Sequence, residues 1–281
     1  MTIDLKNMAE LAVKTASDGT QVRVLEFSSL KGSDDPAIAE QLFFAQNAGM
    51  TAKIVEITLR NGSCTLEPGA LYFMKGNLEL TTGTGGGGVL GSIGRAMFSG
   101  ETVMLNTIRG TGVIYLEPTF GHILLHEIQS EEKAVIADRG SYYASTSGIV
   151  ATANRVRSLA GMALGGEGLF QTQITGIGIA ILRSPVPESE IAIAKVDGDA
   201  LYVDGNFALL RSKDVSFEVK KSSKSWVGTA LSGEGLLNVY KGKGRVWLAP
   251  TQGIYERMQL MGLSPDVATG KGRDSANPSA R

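Results

Sequence analysis

Cysteine is nearly missing from this chain of 281 residues: Cys64 stands alone. No internal disulfide can form, and the redox and zinc-finger frameworks that need paired cysteines are excluded. A lone Cys of this kind reads as a small buried apolar residue in a reducing compartment. Histidine is as scarce, with only His122 and His126 present. Four apart on a strand, they share a face roughly 13 Å from each other, too far to chelate one metal together. In HILLHE the glutamate follows the second histidine, so the helical zinc-protease pattern is not met, and the two read as ordinary imidazoles. Gly-x-Ser-x-Gly and Cys-x-x-Cys are both lacking. Charge of one sign is lacking too: 27 Lys and Arg against 28 Asp and Glu leave a net charge of −1. That balance argues against a protein whose main work is gripping a phosphate backbone. No apolar run approaches the roughly 18 residues of a membrane-spanning helix. The N-terminus carries Asp4 and Glu10 without an apolar signal core, so it does not read as a leader, and the expected location is cytoplasmic.

What the chain does have is glycine, 36 residues against 8 prolines, and a phrase that returns three times. FSGETVMLNTIRGTGVIYLEP starts at Phe98, LGGEGLFQTQITGIGIAILRSP at Leu164 and LSGEGLLNVYKGKGRVWLAP at Leu231, so that Glu101, Glu167 and Glu234 recur at nearly equal spacing. Upstream, IVEITLRNGSCTLEPG, LHEIQSEEKAVIADRG and EIAIAKVDGDALYVDG align without a gap and end at Gly69, Gly140 and Gly205. A unit of about 65 residues has therefore been copied twice, giving repeats over Ile54–Gly121, Leu125–Pro187 and Glu190–Tyr255. One such unit buries too little surface to be stable alone. The expectation is one body of three lobes with pseudo-threefold symmetry around a shared interior.

The apolar runs are short and cut by Gly-containing or charged turns every 8 to 12 residues or so, which is the spacing of all-β sandwiches and barrels. Alternation sets Ile54, Glu56 and Thr58 against Val55, Ile57 and Leu59, and Ser216, Glu218 and Lys220 against Val215, Phe217 and Val219. Each series predicts a strand with one buried face. The pairs Gly110/Gly112, Gly176/Gly178 and Gly242/Gly244 lie inside strand pattern and predict bulges, bends or close backbone approach. Residues 1–53 form an extension: a weakly helical start MTIDLKNMAELAVK, an added edge strand QVRVLEF, a polar loop KGSDDPAIAE and an apolar run LFFAQ. Residues 261–281 lack apolar period and read as a disordered tail.

Three features carry what functional signal there is. Glu101, Glu167 and Glu234 read first as turn carboxylates; placed around a threefold axis, they would form a ring able to hold a cation, since unpaired carboxylates repel and need a metal, a basic partner or distance. The run from Gly83 to Gly88 is followed by Val89-Leu90, not Lys-Ser/Thr, so it is not a phosphate loop. It reads as a flexible loop, or as a partner-binding one in which Ile93, Met97 and Phe98 supply apolar contacts and Arg95 a polar one. Lys220, Lys221, Lys224, Lys241, Lys243 and Arg245 interleave with Trp226 and Trp247. Such a cluster serves single-stranded nucleic acid or, more commonly, keeps a solvated strand edge from aggregating.

PGALYFMKGNLEL, RAMFSGETVMLN, GTGVIYLEPTFG, LGGEGLFQTQITG, SPVPESEI, VDGNFALL, SGEGLLN and GRVWLAPTQ, in this order from about Thr51 to Tyr255, resemble the conserved bacterial family related to the yeast altered-inheritance-of-mitochondria protein. The resemblance implies three consecutive TRAP-like units of double-stranded β-helix or β-sandwich type, named after the tryptophan-responsive RNA-binding attenuator protein. Mitochondrial relatives are linked with inner-membrane organisation and respiratory assembly, and the family offers no catalytic residues or cofactor to carry over. RNA binding does not follow from the fold, because no Lys/Arg set recurs in all three repeats. The leading expectation is a non-enzymatic scaffold that forms homo-oligomers and contacts other proteins, without a cofactor. A small-ligand or metal-binding module is the alternative, nucleic-acid binding is less favoured, and an enzyme with a β-helix-type pocket stays open.

Overall fold

The computed structural model describes residues 3, 5–84, 104–130, 133–138, 140–156, 169–205, 207–221 and 236–261. Among these residues strands dominate, with two short helices, as the short apolar runs predict. In chain order the strands are β1 (Met8–Thr15), β2 (Gln21–Phe27), β3 (Lys53–Leu66), β4 (Leu71–Thr84), β5 (Met104–Leu116), β6 (His122–Ile128), β7 (Val135–Ala137) and β8 (Tyr142–Thr146). They continue with β9 (Ile149–Val156), β10 (Leu169–Gly176), β11 (Gly178–Ser184), β12 (Ala192–Asp204), β13 (Ala208–Ser212), β14 (Val215–Lys221) and β15 (Leu236–Leu248). Helix α1 covers Pro36–Asn47 and α2 covers Gln252–Met261.

Two antiparallel sheets result. The first runs β1-β2-β3-β8-β11-β6, with β5 beside β3 and β4 beside β5; the second runs β12-β15-β13-β7-β10-β9, with β14 beside β15. The same local pattern appears in three places. β5 lies between β3 and β4. β10 and β11 lie between β7 and β6 on one side and β9 and β8 on the other. β15 lies between β12 and the pair β13 and β14. Short ladders join neighbouring stretches, β3 to β8 and β7 to β13. No ladder among the described residues joins β4 to β12, so the pairing runs serially along the chain.

The core follows that serial order. One apolar cluster joins Val22, Val55, Ile57 and Leu66 to Tyr143 and Ile181 across the β3/β8 junction. A second joins Leu124, Ile128 and Ile174 to Leu209 and Leu210 across β7/β13. A third, around Val196, Val215, Tyr240 and Val246, lies within the last four strands. Where the central strands bend, glycine is required by space: Gly110, Gly176 and Gly242 hold φ of 130°, 92° and 125°. A Cβ on Gly242 would lie 2.3 Å from the Asp214 carbonyl oxygen, a distance no side chain tolerates.

Four local expectations need correction. The helical reading of the start fails, because residues 8–15 pair with β2 as a strand. A bulge between Glu10 and Ala12 interrupts the alternation that would have marked it. QVRVLEF is a strand but not an edge, since β2 lies between β1 and β3. The second half of the polar loop joins the apolar run LFFAQ in helix α1: Asp35 in extended conformation accepts from the Ala37 N–H at 2.8 Å, and Pro36 opens the first turn. β14 alternates as predicted, with Ser216, Glu218 and Lys220 exposed, but β3 does not. Ile54 and Glu56 are buried at 2% and 5% exposure, because the face expected to meet water is covered by Leu25, Tyr115 and Phe73.

Candidate binding groove

The residues singled out from sequence as a carboxylate ring, Glu101, Glu167 and Glu234, lie outside the described residues, as do Ile93, Arg95, Met97 and Phe98. What the structure places is the strand ends on either side of them: Thr84 opposite Met104, Val156 opposite Leu169, and Lys221 opposite Leu236. No group of three or more potential metal ligands occurs among the described residues. Of the basic cluster, Lys220 pairs with Glu218 at 2.8 Å, while Trp247 packs edge-on against His126 with ring centres 5.5 Å apart.

That ring contact marks a concavity of about 720 Å³, where β6 of the first sheet faces β12 and β15 of the second. His126, Leu124 and Val135 supply one wall; Ile193, Arg245 and Trp247 supply the other. Burial, reinforced by the Lys14 ammonium, lowers the His126 imidazole to about 4, so at neutral pH the ring is uncharged. Lys14 in turn meets Glu127 at 3.8 Å. Cationic Lys14, Lys133 and Arg245 thus share the rim with Glu127 and Glu188, around a floor of an aromatic ring, a neutral imidazole and aliphatic carbons. A half-apolar ligand with one charged or hydrogen-bonding end fits that distribution. The sequence marked His126 and Trp247 separately; their meeting depends on two sheets coming together, for which no local pattern exists.

A second polar cluster was missed because it occupies the supposedly solvated face of β3. Arg23 on β2 donates to both oxygens of Glu56, Nε to Oε1 and a terminal nitrogen to Oε2, each at 2.9 Å. The Tyr115 hydroxyl donates to Oε2 at 2.6 Å. Burial pulls Arg23 down, but the bonds and charge of Glu56, with Glu10, outweigh it and hold the guanidinium above its ordinary value. Burial, then Glu56, pushes the Tyr115 phenol up. The cluster opens on a shallow hollow of about 450 Å³ beside Gln21, Thr58 and Asn77. With every partner satisfied, this is a cross-strand clamp of bidentate geometry.

The thiol of Cys64 is fully buried, and burial pushes it up to about 12, which makes it inert. Among the described residues no helix is long and apolar enough to cross a membrane.

Similarity to known proteins accords with this architecture. Over 222 residues the chain is 27% identical to an uncharacterized protein of Streptococcus pyogenes serotype M6, covering 75% of this chain and 86% of that one. A crystal structure of another Streptococcus pyogenes protein superposes with a TM-score of 0.55 at 23% identity, covering 74% of this chain and 94% of the other, which shows the shared fold. The family model described as mitochondrial biogenesis AIM24 matches residues 45–251, and the chain belongs to that family.

Proposed function

We propose that this protein is a non-enzymatic scaffold of the cytoplasm, built from three consecutive TRAP-like units and self-associating through exposed sheet edges. The observation that carries the reading is the state of those edges. Among the described residues β4 pairs only with β5 and β12 only with β15. Each outer margin displays large apolar side chains: Tyr72 at 53% and Met74 at 36% exposure on β4, Ile193 at 57% and Tyr202 at 60% on β12. Unpaired N–H and C=O groups beside exposed aromatic and aliphatic carbon are what β-augmentation uses. The tripled-unit reading draws support from the recurrence of one pattern, a central strand flanked by two others, in each third of the chain. The single buried thiol suits a reducing compartment. Size-exclusion chromatography with light scattering tests the reading: a species larger than one chain is expected, and a strict monomer up to the highest soluble concentration refutes it.

A second reading, a small-ligand module, is favoured by the groove at His126 and Trp247. Trp247 reports on it directly once Trp226 is replaced by Phe. Small amphipathic carboxylates and amines screened by fluorescence and calorimetry decide the matter, and an unresponsive Trp247 with no heat removes it. A cation held by Glu101, Glu167 and Glu234 is tested by metal analysis of the purified protein, with a triple Glu→Gln variant as the control.

A further inference from the structure

Two ladders inside the chain obey one rule, and the rule points to a third that the chain leaves unmade. In the first ladder, Cys64, Thr65 and Leu66 of β3 face Thr146, Ser145 and Ala144 of β8. In the second, Val135, Ile136 and Ala137 of β7 face Ser212, Arg211 and Leu210 of β13. The positions are fixed by the glycine pairs of the central strands. Cys64 and Val135 lie opposite Ile108 and Ile174, each two residues before the first glycine, Gly110 or Gly176. Ser145 and Arg211 lie opposite Ala180 and Val246, each two residues after the second glycine, Gly178 or Gly244.

By the same landmarks, Leu201 lies opposite Tyr240, two before Gly242, and Met74 lies opposite Ile114, two after Gly112. Leu201, Tyr202 and Val203 therefore occupy the place of Cys64–Leu66, and Phe73, Met74 and Lys75 the place of Ala144–Thr146. Among the described residues neither segment has a strand on its outer side. Their chemistry matches the made ladders position by position. The first pairs are apolar with polar: Cys64 with Thr146, Val135 with Ser212, and Leu201 with Lys75. The last pairs are apolar with apolar: Leu66 with Ala144, Ala137 with Leu210, and Val203 with Phe73. The middle pairs differ in exposure: Thr65 bonds Ser145 at 2.8 Å, and Ile136 and Arg211 are 5% and 6% exposed, whereas Tyr202 and Met74 stand at 60% and 36%. Residues that a made ladder shields are open where the ladder is missing.

We propose that β12 of one copy of this chain pairs antiparallel with β4 of the next, in the register Leu201↔Lys75, Tyr202↔Met74 and Val203↔Phe73. This rests on the self-association reading and names its two surfaces. The contact joins different patches on the two copies, so it is heterologous, and its repetition gives a closed ring or an open fibre, not a two-fold dimer.

Disulfide trapping tests the register. Tyr202→Cys and Met74→Cys are made in separate chains, mixed and oxidised; Cys64, buried and inert, does not compete. Directly opposed residues on antiparallel strands lie within disulfide reach. The expected product is a mixed dimer linked 202 to 74, exceeding either homodimer at least several-fold, from a wild-type protein that light scattering shows to be oligomeric. An oligomeric wild type giving only homodimers, or no cross-link, overturns the register while leaving self-association standing. A monomeric wild type with no cross-link overturns both. A charge pair gives an independent readout at the same exposed positions: Tyr202→Lys with Met74→Lys is expected to fall to monomer, and Tyr202→Glu with Met74→Lys to recover the assembly. Equal association by both double variants sinks the proposal.

Discussion

Glu56 provides the sharpest test of how this sheet is held. Its carboxylate is 5% exposed as a residue and accepts four hydrogen bonds, two from Arg23, one from the Tyr115 hydroxyl and a long one, 3.5 Å, from the Thr58 hydroxyl. The Arg23 side chain, at 31% exposure, keeps some contact with water. The pair therefore lies between an exposed ion pair, about 0 to 1 kcal/mol, and the 3 to 5 kcal/mol roughly lost when one partner of a buried pair is removed. Glu56→Gln keeps the volume and an acceptor for Tyr115 but loses the charge, and is expected to cost about 2 kcal/mol. Glu56→Ala also strands the phenol hydroxyl, raising the cost to about 3 to 4 kcal/mol. Glu10, 3.6 Å from Arg23 with its side chain 45% exposed, is the control, and Glu10→Gln is expected to change stability by less than about 0.5 kcal/mol. Urea unfolding of wild type, Arg23→Met, Glu56→Gln and the double variant closes a cycle whose coupling energy should be about 1.5 kcal/mol. Because the pair is largely removed from solvent, that coupling should survive 0.5 M salt. A coupling below about 0.5 kcal/mol, or one abolished by salt, would show that Arg23 and Glu56 behave as a surface pair, and the clamp would be wrong.

Three further outcomes follow from other parts of the structure. His126 is held down at about 4 by burial and Lys14, against 6.5 when free, so the unfolded chain takes up a proton between those values that the folded chain refuses. Its contribution to stability is complete above pH 6.5 and drains away as pH falls to 4, by about 3 kcal/mol in total; urea midpoints of wild type and His126→Gln measure this, and parallel curves, or an imidazole titrating near 6.5 by NMR, contradict it. Gly242→Ala should cost at least about 3 kcal/mol because positive φ and a backbone clash act together, whereas Gly19→Ala, at φ 81° with open space around it, should cost about 1 kcal/mol. Equal thermal shifts for the two would deny the close approach. Cys64 should react with a thiol reagent only as fast as the protein unfolds, and prompt labelling at neutral pH would contradict its burial.

How much of this was legible in the sequence depended on how local each cause is. The strands, the bends at the paired glycines and the alternation of β14 all come from residues within one element and its turn. Helix α1 was signalled by Asp35-Pro36 but straddles the boundary between the polar stretch and the apolar run LFFAQ. It buries no side chain, so no apolar stripe marked it. β1 was obscured by a single bulge. Glu56 looked solvated because the period-two rule reports which residues share a face and says nothing about whether that face meets water. Only the arrival of Phe73 and Tyr115, from strands further along the chain, decides that, and Phe73 stacks on Tyr115 with ring centres 4.5 Å apart. The His126–Trp247 groove has no sequence signature at all, since it arises between sheets whose approach depends on the serial ladders.

The distribution of edge protection along the chain supports the proposed pairing of β12 with β4. The first half of β3 is covered by β2, and the margin then passes outward to β1, which carries Glu10 and Lys14 and is bulged between Glu10 and Ala12. Charge and a bulge are the usual defences of an edge. β12 has the same defences over part of its length: Lys195 meets Asp197 at 3.0 Å, and the register shifts between Asp197 and Ala200. They stop there. Leu201, Tyr202 and Val203 follow with no charge and no bulge, and Phe73 and Met74 on β4 are equally bare, with Lys75 at the end that would oppose Leu201. An edge defended along one segment and left bare along the next is what the proposed pairing of β12 with β4 requires: Leu201–Val203 open to a partner strand, and the charged, bulged stretch rejecting other registers.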